Sequence, residues 1–119
     1  MIESKNLVDS IVAACQEKKA KDISILDMRR LPGSICQYFV VCEGNTPTQV
    51  SAIADEISEY VRKEMKEKPL GIDGMQEGRW VGMDYGTVIV HIFIPELRDY
   101  YAIEQLWADA EISKIPNLD

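Results

Sequence analysis

His91 is the chain's only histidine, and it sits inside DYGTVIVHIF, Asp84 to Phe93. An imidazole can act as a general base or bind a metal, but either role needs a positioned partner and an open pocket. Strand periodicity turns Val88, Val90, Ile92 and Ile94 one way and Thr87, Ile89, His91 and Phe93 the other. His91 then lies between Ile89 and Phe93 on an apolar face. The pattern predicts a neutral imidazole, hydrogen-bonded inside the fold or at its rim. Cys15, Cys36 and Cys42 are odd in number and lack CxxC spacing. Each falls within an apolar run and reads as a reduced, small hydrophobe. One histidine and scattered cysteines make a poor zinc site, so no metal is expected.

The acids fail a different test. Two-metal nucleotidyl transfer needs two or three carboxylates converging on Mg²⁺. Asp22 and Asp27 are five positions apart and point to opposite faces of a strand, and no acid lies two positions from Asp84. No G-x-S-x-G elbow exists. Spacing alone does not decide a Ser/His/Asp or Cys/His system, whose members meet only in space. CEGNTPTQ has the strand–turn–helix setting of a phosphate cradle, yet it carries only Gly44 and no Walker lysine. Thr46 there reads as an N-cap that occupies the free N–H groups an anion would need.

Charge narrows the partner. The net charge is −7, and it is unevenly spread: 13 acids against 11 bases up to Met83, then 7 acids against 2 bases from Asp84. Such an end repels phosphates, so little or no nucleic-acid contact is expected. It attracts a basic protein surface, although the same composition also serves plain solubility. No apolar run is long enough to span a bilayer. MIESKNLVDSIVAACQEKKA is neither a secretory nor an organellar leader, so a cytoplasmic location is expected.

The elements that would position these residues follow from periodicity. Ser4 to about Lys18 is helical, with Ser4 as N-cap and Leu7, Val8, Ile11, Val12 and Cys15 on one face. Asp22–Met28 reads as a strand, LPGS as a turn, and Cys36–Cys42 as a strand covered on both faces. Thr46, Pro47 and Gln49 form a capping box with Pro at the first helical position. That helix should run to about Lys66 and bury Val50, Ile53, Ala54, Ile57, Val61 and Met65. EKPLGIDGMQEG is a loop with room for one short strand. Arg79–Met83 and Thr87–Ile94 form a hairpin across Asp84-Tyr85-Gly86. Pro95 opens a last helix to about Ala110, and SKIPNLD should fray. The expected fold is a single α/β domain, residues 1–119: a sandwich with a mixed β-sheet and three helices.

The last helix carries an unusual surface. A continuous helix places Tyr100, Ile103, Leu106 and Trp107 in the core and Arg98, Ala102, Gln105 and Asp109 on the polar face. Tyr101 then sits at the polar edge, a ring among acids of the kind that anchors interfaces. A tyrosine lying on its own helix is the plainer reading. Trp80, opening the hairpin, divides in the same way between core and contact.

SILDMRRLPGSICQYFVVCEGNTPTQVSAIADEI, GRWVGMDYGTVIVHIF and PELRDYYAIEQLW together resemble the ribosomal silencing factor family, RsfS or Iojap, over roughly Asp22 to Trp107. The chain departs from the family pattern at Gln37 and Thr87, where the family usually has Asp. The resemblance implies a nucleotidyltransferase-like fold without catalytic carboxylates, and no enzymatic activity or cofactor. It implies binding to large-subunit ribosomal protein L-fourteen and steric exclusion of the small subunit, which represses translation under nutrient limitation. Related organellar proteins assist large-subunit maturation. Trp80, Asp84, Tyr85, Glu96, Tyr101 and Glu104 are the expected contact residues, chosen as the outward-facing members of these motifs. The alternatives are a nucleotide-binding or residual nucleotidyltransferase-like enzyme, and a homodimeric scaffold for ribosome assembly.

Overall fold

The computed structural model describes residues 3–118. Its elements in chain order are α1 (Ser4–Glu17), β1 (Lys21–Asp27), β2 (Tyr38–Glu43), α2 (Pro47–Met65), β3 (Gly71–Asp73), β4 (Trp80–Asp84), β5 (Val88–Phe93), α3 (Pro95–Tyr101), α4 (Ile103–Leu106) and β6 (Glu111–Ile115). The six strands form one sheet in the order β3-β4-β5-β2-β1-β6. Among the described residues only β2 and β5 pair in parallel, because the chain crosses over through α2 between them; every other pair is antiparallel. The mixed sheet and single α/β domain expected from the sequence are present.

Helices α1 and α2 cover one face. Leu7, Val8, Ile11 and Cys15 from α1 and Val50, Ile53, Ala54, Ile57 and Val61 from α2 pack on Val40, Cys42, Val81, Met83, Val88, Val90 and Ile92. Each buried Val, Leu, Ile or Met among them contributes about 1.5–3 kcal/mol by leaving water. The other face has a smaller cluster of Leu26, Met28, Phe39, Val41, Phe93 and Ala110, partly covered by Leu97, Ile103 and Trp107. The alternation read along β5 therefore holds: its valines and Ile92 meet the helices, and Phe93 lies on the second face.

Capping explains the start of α2. The Gln49 N–H donates to Thr46 Oγ1 (3.1 Å), while Gln49 Oε1 accepts from the Asn45 N–H (3.0 Å). The box closes one residue earlier than the standard pattern, and it still occupies donors that an anion would need. Helix α1 departs slightly from expectation: Glu3, not Ser4, is the N-cap, and no side chain caps the helix.

Two larger departures lie at the C-terminus. The expected helix to Ala110 breaks at Ala102, which is left-handed (φ 47°, ψ 49°) and serves as both C-cap of α3 and N-cap of α4. SKIPNLD does not fray where described: Glu111–Ile115 pairs along β1, and Asn117 Oδ1 accepts from the Asp22 N–H at 2.8 Å. Asp119 lies outside the described residues. The unpaired edge of β1 offers more backbone bonds to this segment than an isolated end would find.

Candidate partner-docking face

The second face of the sheet is rich in rings. Trp80 stacks on Phe93 (centroids 5.0 Å) and meets Tyr101 at 4.6 Å, and Tyr101 meets Tyr100 at 5.1 Å. Phe39 contacts both His91 (4.9 Å) and Trp107 (6.0 Å) edge to face. The row of rings runs from the buried sheet to solvent: Phe93 is fully enclosed, Trp80 is half-buried, and Tyr101 and Tyr100 are 46% and 79% exposed. Such rings offer large rigid contact area at low entropic cost.

His91 has a definite place in this row. The Trp80 Nε1–H donates to His91 Nδ1 (3.2 Å), so that nitrogen is unprotonated and the ring is neutral with its proton on Nε2. Burial pushes the imidazole down to about 4, which keeps it neutral at physiological pH. Its Nε2 is buried without a hydrogen-bond partner among the described residues. His91 therefore orients the Trp80 indole and is not poised as a base. The loop before β4 also fixes Trp80: Gly74 (φ 91°) lies so close to the Trp80 backbone that any Cβ there would collide with it.

Beside Trp80 opens a cleft of about 480 Å³, lined by Leu70, Gly71, Asp73, Gly74, Trp80, Gly82, Met83, Asp84, Ile89 and His91. Its floor is apolar, and both charged residues lining it are acids. Asp84 is exposed, with Oδ1 accepting from the Gly86 N–H at 2.7 Å. Leu70, 78% exposed, forms part of the apolar rim.

The expected contact residues do not all meet here. Trp80 and Asp84 line the cleft, Tyr101 adjoins it through Trp80, and Glu96 is exposed in the first turn of α3. Tyr85 is placed differently: its ring packs against the helix-side core, its hydroxyl is buried, and burial pushes it up to about 12. Glu104 is likewise turned inward. Its carboxylate accepts from Arg98 Nε–H (2.9 Å), an Arg98 terminal N–H (2.9 Å) and Ser24 Oγ–H (2.8 Å).

Arg98 corrects another expectation. Instead of facing water it is 8% exposed, because the break at Ala102 removes the helical register that made it polar-facing. Its remaining N–H groups donate to the Asp22 carbonyl (2.7 Å), Glu43 (3.2 Å) and Ser24 Oγ (3.3 Å). Burial would raise the Glu104 carboxyl, but the Arg98 and Ser24 hydrogen bonds outweigh it and hold the group below its ordinary range. Glu43 goes the other way: burial dominates, and its longer single contact with Arg98 does not compensate. Tyr100, expected in the core, is thrown outward by the same break.

Other chemistry is not assembled. The three thiols are buried and free: Cys15 and Cys42 lie 3.9 Å apart, and a thiol hydrogen bond with Cys42 together with burial raises Cys15 well above the ordinary range. Burial pushes Cys36 up to about 11. Neither Cys15 nor Cys36 is a thiolate nucleophile at neutral pH. Gly44 serves close packing, since a Cβ there would lie 3.0 Å from the Val50 nitrogen. Among the described residues no cluster of three or more His, Cys, Asp or Glu is arranged to hold a metal, and no helix is long and apolar enough to cross a membrane.

Comparison with known proteins assigns the chain. The family model described as "Ribosomal silencing factor during starvation" (RsfS) matches residues 1–119. The ribosomal silencing factor RsfS of Bacillus subtilis is 38% identical over 114 residues, which cover 96% of this chain and 95% of that protein. A crystal structure of a Chromobacterium violaceum protein superposes with a TM-score of 0.84 at 36% identity, covering 90% of this chain and 88% of the other. The mouse protein named "Mitochondrial assembly of ribosomal large subunit protein 1" is more distant, 26% identical over 110 residues, and this chain spans only 47% of it. These matches exclude the enzyme alternative: the chain belongs to the ribosomal silencing factor family and is a non-enzymatic factor that acts on the ribosome.

Proposed function

We propose that this factor silences by occupancy, docking its Trp80–Tyr101 face on large-subunit ribosomal protein L-fourteen so that the small subunit is excluded. The observation that carries the reading is the aromatic pair of half-buried Trp80 and exposed Tyr101 beside a cleft whose charged lining, Asp73 and Asp84, is wholly acidic. Rings of this kind anchor protein interfaces, and like-signed carboxylates at their margin steer a basic partner toward them. The acid-rich segment that follows Met83 supplies the same sign of charge. It also disfavours ribosomal RNA as the docking surface, because phosphates are repelled.

Mechanically the proposal requires no turnover. Two bodies cannot fill one interface, so the extent of inhibition follows the fraction of large subunits carrying the factor. A starvation signal would act by changing that fraction. The test is to mix the purified protein with isolated large subunits, measure co-sedimentation, and then add small subunits. The factor should sediment with large subunits and slow joining in proportion to its occupancy. Occupied large subunits that join at the normal rate would refute the steric mechanism.

A further inference from the structure

Arg98 is buried, and its five N–H groups meet five protein acceptors on Asp22, Ser24, Glu43 and Glu104. These contacts tie α3 to β1 and β2. Glu104 lies six residues after Arg98, out of reach on an unbroken helix, where neighbours fall at three and four. The two meet because Ala102 turns left-handed between them, a conformation that alanine rarely adopts. Tyr101 is the residue just before that turn, and its ring rests 4.6 Å from Trp80. Both Glu104 oxygens are committed within the protein, leaving the carboxylate poorly placed to greet a partner.

We infer that Arg98 and Glu104 are positioning residues for docking: by closing across Ala102, their ion pair holds Tyr101 on Trp80 and presets the aromatic anchor before the partner arrives. The inference rests on the docking face proposed above. A ring already fixed in its bound orientation avoids the ordering cost that a mobile one incurs on binding. Glu104 thus moves from contact residue to support. Its removal should loosen Tyr101 without deleting any interfacial atom.

The test is a double-mutant cycle read as affinity for isolated large ribosomal subunits. Glu104→Ala should weaken binding about ten-fold in the parent, yet less than about two-fold in a Tyr101→Ala background, because the pair acts through that ring. Near-UV circular dichroism of the Trp80–Tyr101 pair should change in Glu104→Ala, and Glu104→Gln, which still accepts from Arg98, should recover most of the affinity. The salt dependence of binding should match the parent, whereas Asp84→Asn should flatten it. Additive losses, parental affinity in Glu104→Ala, or a salt dependence flattened as in Asp84→Asn would each overturn the inference. Should Glu104→Ala fail to fold, Arg98→Lys carries the same cycle, since an ammonium keeps the charge but cannot make five bonds. Parental binding by both Trp80→Ala and Tyr101→Ala would remove the docking face and this inference together. Weakened binding in those two alongside an unaffected Glu104→Ala would remove the inference alone.

Discussion

The two faces of the sheet use different chemistry. Under α1 and α2 the contacts are almost entirely aliphatic, between side chains with little or no exposure, and the layer is closed. On the opposite face the contacts are aromatic and charged, the covering segment is short and broken, and rings lead outward to solvent. A closed aliphatic layer stabilises without specifying a partner. A half-covered aromatic layer gives up burial and gains a surface. The division separates what holds the fold from what the fold presents.

That division is broken most easily from the helix side. Ile53→Ala, at a fully buried position, should lower unfolding free energy by about 2–5 kcal/mol while the folded fraction keeps parental affinity for large subunits. Chemical denaturation and co-sedimentation of the same samples check it; a parallel loss of intrinsic affinity would mean that the faces are coupled. His91 gives the next effect. Its folded pKa is depressed to about 4 while an unfolded histidine titrates near 6.5, so its contribution is fully present above about 6.5. As pH falls toward 4 the unfolded state takes up a proton that the folded state refuses, and about 3 kcal/mol is lost. His91→Phe should therefore lose less stability than the parent between pH 7 and pH 4.5, measured by denaturant midpoints in matched buffers.

Effects on binding come next. Trp80→Ala removes the half-buried anchor and should weaken large-subunit affinity by about 2–3 kcal/mol, with some loss of stability because Trp80 also packs on Phe93. Tyr101→Ala should cost about 1–2 kcal/mol of affinity and leave the melting midpoint nearly unchanged, since the ring is half exposed. A Tyr101 variant that loses stability but not affinity would reverse the assignment of this face. Lys5→Ala, which removes an exposed ion pair with Asp9 on α1, should shift neither property resolvably.

The sequence made the closed face legible and the open face only in part. Periodic Val and Ile, a Thr-Pro-x-Gln cap and a Tyr-Gly hairpin are local signals, and each appeared where its residues placed it. The alternation around His91 put that residue and Phe93 on one face, but Trp80's place beside them and the Trp80–His91 hydrogen bond depend on strand register and are not encoded locally. The C-terminal break had no local marker. Ala102 is a good helix former, and its left-handed turn is held by Arg98 reaching β1, β2 and Glu104. Assuming a straight helix reversed four residues at once, placing Tyr100 and Leu106 inside and Arg98 and Glu104 outside, whereas Leu106 is 74% exposed. The strand at Glu111–Ile115 escaped for a related reason: its exposed, mixed sequence gains order from the free edge of β1, not from its own propensity.

The central claim is that occupancy of the large subunit through the Trp80–Tyr101 face is sufficient for silencing. The most direct measurement is the rate of subunit joining at fixed large-subunit occupancy, comparing parent with Trp80→Ala and Tyr101→Ala. If the account is right, all three slow joining equally once concentrations are raised to equal occupancy, and the variants need more protein to reach it. Variants that occupy large subunits at parental concentrations, or that occupy them fully without slowing joining, would contradict it.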